Sequence, residues 1–112
     1  MIDNEQLLKD MGKRISDRRK QLRLTQDELA EKMDVTPQMI STAELGKKAI
    51  RPENLLKLSE ALEVSSDYIL TGFIADKDVV LIAQKLRSLS PSQFRIAEEI
   101  LNNCIQLGNK LQ

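Results

Sequence analysis

The residues of this chain that could do chemistry are amides, hydroxyls and locally grouped cations. Thr36-Pro37-Gln38 and Ser41-Thr42 lie close together, and Lys47, Lys48 and Arg51 follow within a few residues. A glutamine amide both donates and accepts, which matches the N6 and N7 groups on the major-groove edge of adenine; serine and threonine hydroxyls bond base edges of either kind. The same residues would also suit the solvated outer face of a helix. Bond-making chemistry has little to work with. The 112 residues contain no histidine and one cysteine, Cys104, which removes zinc sites, a disulfide framework and histidine-based acid–base or triad catalysis. No nucleophile elbow or titratable constellation is visible, so no enzyme activity, metal or cofactor is expected.

Composition bounds the partners. Seventeen basic residues face seventeen acidic ones, so no overall cationic field draws the chain to nucleic acid or membranes, and any DNA binding must rest on locally sorted charge. Hydrophobic residues at 41% and charged residues at 30% are a globular balance, compatible with one compact domain and a short appendage. The longest apolar run, Val79 to Ala83, falls far short of the roughly 20 residues of a membrane span. The opening MIDNEQLLKD is polar and acidic where a secretory signal is basic and then apolar, and a reducing, cytoplasmic setting is the simplest expectation.

The elements that must position these groups read as helices throughout, with apolar residues recurring at steps of three and four. Leu8, Met11, Ile15 and Leu22 form the stripe of a first helix, with Arg18 on the same stripe and its head in water. Its other cations, Lys13, Arg14, Lys20 and Arg23, read as a solvated face. Thr25-Gln26-Asp27-Glu28 is a capping box opening a second helix, with Leu29, Ala30 and Met33 inward. Gln26 stands where free backbone N–H groups and the helix dipole favour an anion. Thr36-Pro37 opens a third helix that ends near Gly46, with Met39, Ile40 and Ala43 on one side and Pro37, Gln38, Ser41, Thr42 and Leu45 on the other. Pro52 opens a fourth, lined by Leu55, Leu58, Ala61 and Leu62; Ser65 caps a fifth carrying Tyr68, Ile69 and Leu70, closed by Thr71-Gly72. Phe73-Ile74-Ala75 is a joint. A sixth helix carries Val79, Val80, Ile82, Ala83, Leu86 and Leu89, and Ser90-Pro91-Ser92-Gln93 caps a seventh.

Met33-Asp34-Val35-Thr36 joins two short helices with the dimensions of a helix-turn-helix. On Leu24-Thr25-Gln26, Glu28-Leu29-Ala30, Ile40-Ser41, Glu44, Gly46-Lys47 and Asn54-Leu55-Leu56-Lys57-Leu58, the stretch from Gly12 to Gly72 resembles the lambda-repressor-like, Cro-type helix-turn-helix family, also called the Xre family. The resemblance implies an all-α fold: a five-helix DNA-binding bundle over residues 1–72, then a two-helix tail over 73–112. It implies that the second helix crosses the DNA backbone and the third enters the major groove, with Thr36, Pro37, Gln38, Ser41 and Thr42 toward the bases and Thr25, Gln26, Lys47, Lys48 and Arg51 toward phosphates. It aligns Arg19 and Glu44 with an internal salt bridge. The chain departs from the pattern at Arg23, Asp34 and Glu63, where glycine is common, so these turns either hold a non-glycine residue left-handed or close differently. Ala43 replaces a larger apolar residue and Leu45 a commonly polar one.

In the tail, Phe94, Ala97, Ile100, Leu101, Cys104 and Ile105 exceed what one narrow contact would cover. A homodimer interface is the expected use, the alternative being that the tail folds back on its own bundle. Cys104 reads as a small buried hydrophobe. The tail is too short for a separate metabolite-sensing domain, so a switch would come from a regulatory protein partner or proteolysis. The expected function is a sequence-specific transcriptional regulator, a repressor binding double-stranded DNA as a homodimer; the alternative is a protein-interaction module such as an antitoxin or anti-repressor subunit.

Overall fold

The computed structural model describes the backbone of residues 3–111 and the side chains of 3–109. Among the described residues there are seven helices and no strand: α1 (Asn4–Gln21), α2 (Gln26–Met33), α3 (Pro37–Leu45), α4 (Pro52–Leu62), α5 (Ser66–Thr71), α6 (Asp76–Arg87) and α7 (Pro91–Leu111). The starts are set by short polar side chains that satisfy free backbone donors. Asp3 accepts from the Glu5 and Gln6 amides, Thr36 from Met39 and Ser65 from Tyr68. The α2 box is closed in both directions, with Glu28 N–H to Thr25 Oγ1 and Thr25 N–H to Glu28 Oε1 both at 3.0 Å.

The ends are left-handed turns. Arg23, Asp34 and Glu63 have φ of 59°, 56° and 56°, so all three non-glycine turns adopt the strained region, at a cost of roughly 1–2 kcal/mol each. Asp34 tolerates it best of the three. Gly46, at φ 67°, has a second constraint: a Cβ there would lie 2.8 Å from the backbone of Leu8 and Lys9.

By its contacts the chain divides into two compact units, the first ending at Asp78 and the second starting at Val79. In the first, α1 packs on α3, α4 and α5, and α2 on α3 and α4. Ile15, Leu29, Ile40, Leu58, Leu62 and Ile69 are fully buried at the centre, with Met11, Ala30, Met33, Ala43, Ala61 and Val64 around them. Gly12 makes the α1–α3 approach possible, because a methyl there would strike the carbonyl oxygens of Ala43 and Glu44. Of the apolar residues carried by α5, Leu70 is exposed; on a helix of six residues only Ile69 is directed fully inward.

Two cations of α1 are also not simply solvated. Arg14 donates to the Ile69 carbonyl at 3.0 Å and Arg18 to the Leu62 carbonyl at 2.9 Å. Both satisfy carbonyls that helix termini leave free, and positive charge is favoured there. Lys13 is the surface case, paired with Asp17 one turn on, which raises its pKa through that hydrogen bond.

The bundle was read from sequence as ending at Gly72, yet its unit runs on to Asp78. The Asp78 carboxylate explains the extension. It accepts from Ser65 N–H at 2.7 Å, Ser65 Oγ at 2.8 Å and Ala75 N–H at 2.9 Å. Burial pushes its pKa up, but these three donors outweigh that and hold the carboxyl below the usual range.

The second unit is a pair of helices whose seventh opens on the Ser90–Gln93 box, with Gln93 Oε1 accepting from Ser90 N–H and Ser90 Oγ from Gln93 N–H. Its large apolar side chains are exposed: Phe94 at 40%, Ile100 at 56%, Leu101 at 50% and Ile105 at 62%. Ala97 is half-buried. Cys104 is exposed, not buried as its place on the apolar pattern suggested, because none of the described side chains of α7 is buried within the single chain. No helix among the described residues is long and apolar enough to cross a membrane.

Candidate nucleic-acid interface

Helices α2 and α3 meet at a left-handed turn on Asp34, where the Asp34 and Val35 amides return to the carbonyls of Glu31 and Ala30 at 3.2 and 3.0 Å. That turn fixes the angle at which α3 leaves α2. Ile40 and Ala43 then anchor α3 in the core with Met39 packed beside them, leaving Pro37, Gln38 and Leu45 exposed and Ser41 and Thr42 half-buried on the opposite side. Gln38 Nε2 donates to Thr42 Oγ1 at 3.3 Å, one turn along the helix. The Thr36 hydroxyl accepts from the Met39 amide as the cap of α3, which leaves its proton and one lone pair for an outside partner.

Lys47, Lys48 and Arg51 are exposed in the segment after α3. Arg51 lies 3.9 Å from Glu53, a loose surface pair worth little. A groove of about 300 Å³ runs beside α3, with Thr36, Gln38, Thr42, Lys48, Arg51 and Asn54 on its walls. Polar and cationic groups from helix and loop therefore face one hollow. Asn54, in the first turn of α4, also stands on this wall; the sequence placed it in the family match without giving it a DNA contact.

Arg19 and Glu44 form a two-pronged ion pair, Nε to Oε2 at 2.7 Å and Nη2 to Oε1 at 3.0 Å. The Arg19 Nη1 also donates to the Leu24 carbonyl at 2.8 Å. Their side chains are only 11% and 6% exposed, and the hydrogen bond that Arg19 donates to Glu44 raises the Arg19 pKa against the opposing effect of burial. Gln26, half-buried at the start of α2, donates from Nε2 to Glu44 Oε1 at 3.1 Å. Neither spacing nor residue type signalled that third bond. The Thr25 hydroxyl is occupied by the capping box. Asp27, Glu28 and Glu31 are exposed on α2, offsetting the cations beyond α3.

The helix-turn-helix family pattern matches residues 15–69, the span that holds α2, α3 and their supports. The uncharacterized HTH-type transcriptional regulator YqaE of Bacillus subtilis is 30% identical over 94 residues, covering 80% of this chain and 81% of YqaE. The chain belongs to the lambda-repressor-like helix-turn-helix family. Members of this family are DNA-binding transcriptional regulators, and the all-α layout of bundle and tail agrees with membership. Repressor protein C2 of Salmonella phage P22 is 41% identical over 69 residues, 62% of this chain but only 32% of that repressor, so the likeness spans about a third of it. The crystal structure of the P22 c2 repressor with a synthetic operator aligns at a TM-score of 0.55 and 43% identity, over 56% of this chain and 96% of that one. A SinR–SinI protein complex aligns at a TM-score of 0.55 and 27% identity, over 91% of this helix-turn-helix chain and 99% of the matched chain.

Proposed function

We propose that this protein is a sequence-specific repressor that binds an operator as a homodimer, with α3 in the major groove. The observation that carries the reading is the outward face of α3, where Gln38, Ser41 and Thr42 stand beside a groove walled by Lys48 and Arg51. The 43% likeness to a repressor solved on operator DNA supports it. Pro37, Gln38, Ser41 and Thr42 face base edges, with Gln38 on adenine; the remaining Thr36 proton serves a base or phosphate acceptor. Lys47, Lys48 and Arg51 take phosphates, as do Gln26 and the start of α2 capped by Thr25.

Dimerisation is assigned to residues 73–112, through Phe94, Ala97, Ile100, Leu101, Cys104 and Ile105. The exposure of these apolar residues on a helix pair without a core of its own supports that assignment. Two half-sites one helical turn apart would then be bound together. A second reading is favoured by one observation: the aligned SinR–SinI structure, which matches 91% of this chain, is a complex of two proteins. In that reading a regulatory protein takes the tail and controls the dimer.

The test is selection of duplexes from a randomised pool by the full chain, followed by titration of the selected duplex at two salt concentrations. A two-fold-symmetric site, bound with a steep salt slope and resistant to random competitor, is expected. Failure to enrich any sequence overturns the proposal.

A further inference from the structure

The Glu44 carboxylate links the recognition helix to the start of α2. It lies on the last turn of α3, is almost wholly buried, and accepts from Arg19 Nε, Arg19 Nη2 and Gln26 Nε2. A carboxylate has no proton to give, so the Gln26 amide must turn its nitrogen, not its oxygen, toward Glu44. That nitrogen carries two protons, and Glu44 takes one. The second has no acceptor among the described residues, and neither do the backbone N–H groups of Gln26 and Asp27 in the same first turn, because Thr25 Oγ1 caps Glu28 instead.

We infer that Glu44 is a positioning residue for phosphate recognition: it locks the Gln26 amide with a donor facing the DNA backbone, while Arg19 cancels the carboxylate charge that would otherwise repel a nearby phosphate. This rests on the DNA-binding reading above and extends it. An unrestrained amide would present its oxygen as readily as its nitrogen, and an oxygen facing a phosphate is repelled. The arrangement also gives α3 a fixed register. One buried carboxylate ties the end of the base-reading helix to the α2 side chain that grips the backbone, so a shift of either moves the other.

The experiment replaces single phosphates of the selected duplex by neutral methylphosphonates and measures the affinity of the full chain at each position. Wild type should lose roughly ten- to 150-fold at the phosphate gripped by Gln26, the worth of one hydrogen bond to a charged group. Gln26→Ala should bind more weakly and be indifferent to methylphosphonate at that position alone. Glu44→Gln should show the same local indifference while keeping sensitivity at the phosphates of Lys47 and Lys48, which a general loss of stability would not produce. Wild-type sensitivity persisting in a folded Glu44→Gln protein overturns the inference and leaves DNA binding standing. Should Glu44→Gln not fold, side-chain amide NMR of the wild type decides. The Gln26 Nε2 proton held by Glu44 should be shifted and slow to exchange with solvent in the free protein, with the outward one moving as the duplex is added; two protons that both exchange freely in the free protein would overturn it. A chain that selects no DNA sequence overturns the DNA-binding reading, and this inference with it.

Discussion

The two units of this protein use apolar residues in opposite ways. In the first, Ile15, Leu29, Ile40, Leu58, Leu62 and Ile69 are wholly buried, and Arg14 and Arg18 are spent on helix-end carbonyls. In the second, none of the described side chains of α7 is buried, and Phe94, Ile100, Leu101 and Ile105 face solvent. A bundle with its own core can stand alone and devote its outer face to a ligand. A helix pair without one gains its stability by covering its apolar side, which makes it the natural site of assembly.

The largest expected effect tests that contrast at its joint. A chain ending after Asp78 keeps the Ser65–Asp78 bonds and should remain folded and sediment as a monomer, while the full chain sediments as a dimer. Its affinity for a two-half-site operator should fall by roughly 10²–10⁴, the usual gain from linking two binding modules. Persistent dimers of the shortened chain would move the interface into the bundle. Leu101→Lys in the full chain should give the same monomer without loss of helix, measured by sedimentation and circular dichroism.

Substitutions inside the first unit should act on folding instead. Leu58→Ala removes a fully buried side chain and should cost about 2–5 kcal/mol by denaturant unfolding. Gly12→Ala sets a methyl against the Ala43 and Glu44 carbonyls and should cost about 1–3 kcal/mol despite the better helix propensity of alanine. A neutral result would mean that α1 and α3 can separate more easily than their packing implies.

The contrast also explains how much was legible in the sequence. The bundle could be read because its signals are local: a capping box at Thr25, a cap at Ser65, prolines at 37 and 52, and an apolar stripe on each helix. What escaped was set by distant contact. Whether Arg23 and Glu63 would turn left-handed depended on what the surrounding bundle imposes. Arg14 and Arg18 read as a solvated run because their carbonyl partners lie 55 and 44 residues away. The Gln26–Glu44 bond joins two helices and has no periodicity to betray it. Cys104 was misplaced for the converse reason: an apolar pattern says that a face seeks cover, not whether the same chain supplies it.

The smallest effects concern charge. Lys47→Ala should weaken all sequences alike and lower the salt slope by about 0.9. Asp78 should report on acid stability. Its carboxyl is held below the usual range in the folded chain, so the stability it adds is complete above its unfolded pKa and is lost as pH falls through the lower folded value. Asp78→Asn should therefore differ most from wild type near neutrality, with the gap narrowing in acid; a gap that widens in acid would reverse the sign.

The central claim, that the outward face of α3 reads sequence, is tested most directly by Gln38→Ala. Its affinity should be measured against the selected duplex and against duplexes changed one base pair at a time. Loss of discrimination at one A·T position, worth about 1–3 kcal/mol there and leaving the other positions unchanged, is predicted. Uniform weakening across all the duplexes would contradict it and leave α3 as a surface that holds DNA without reading it.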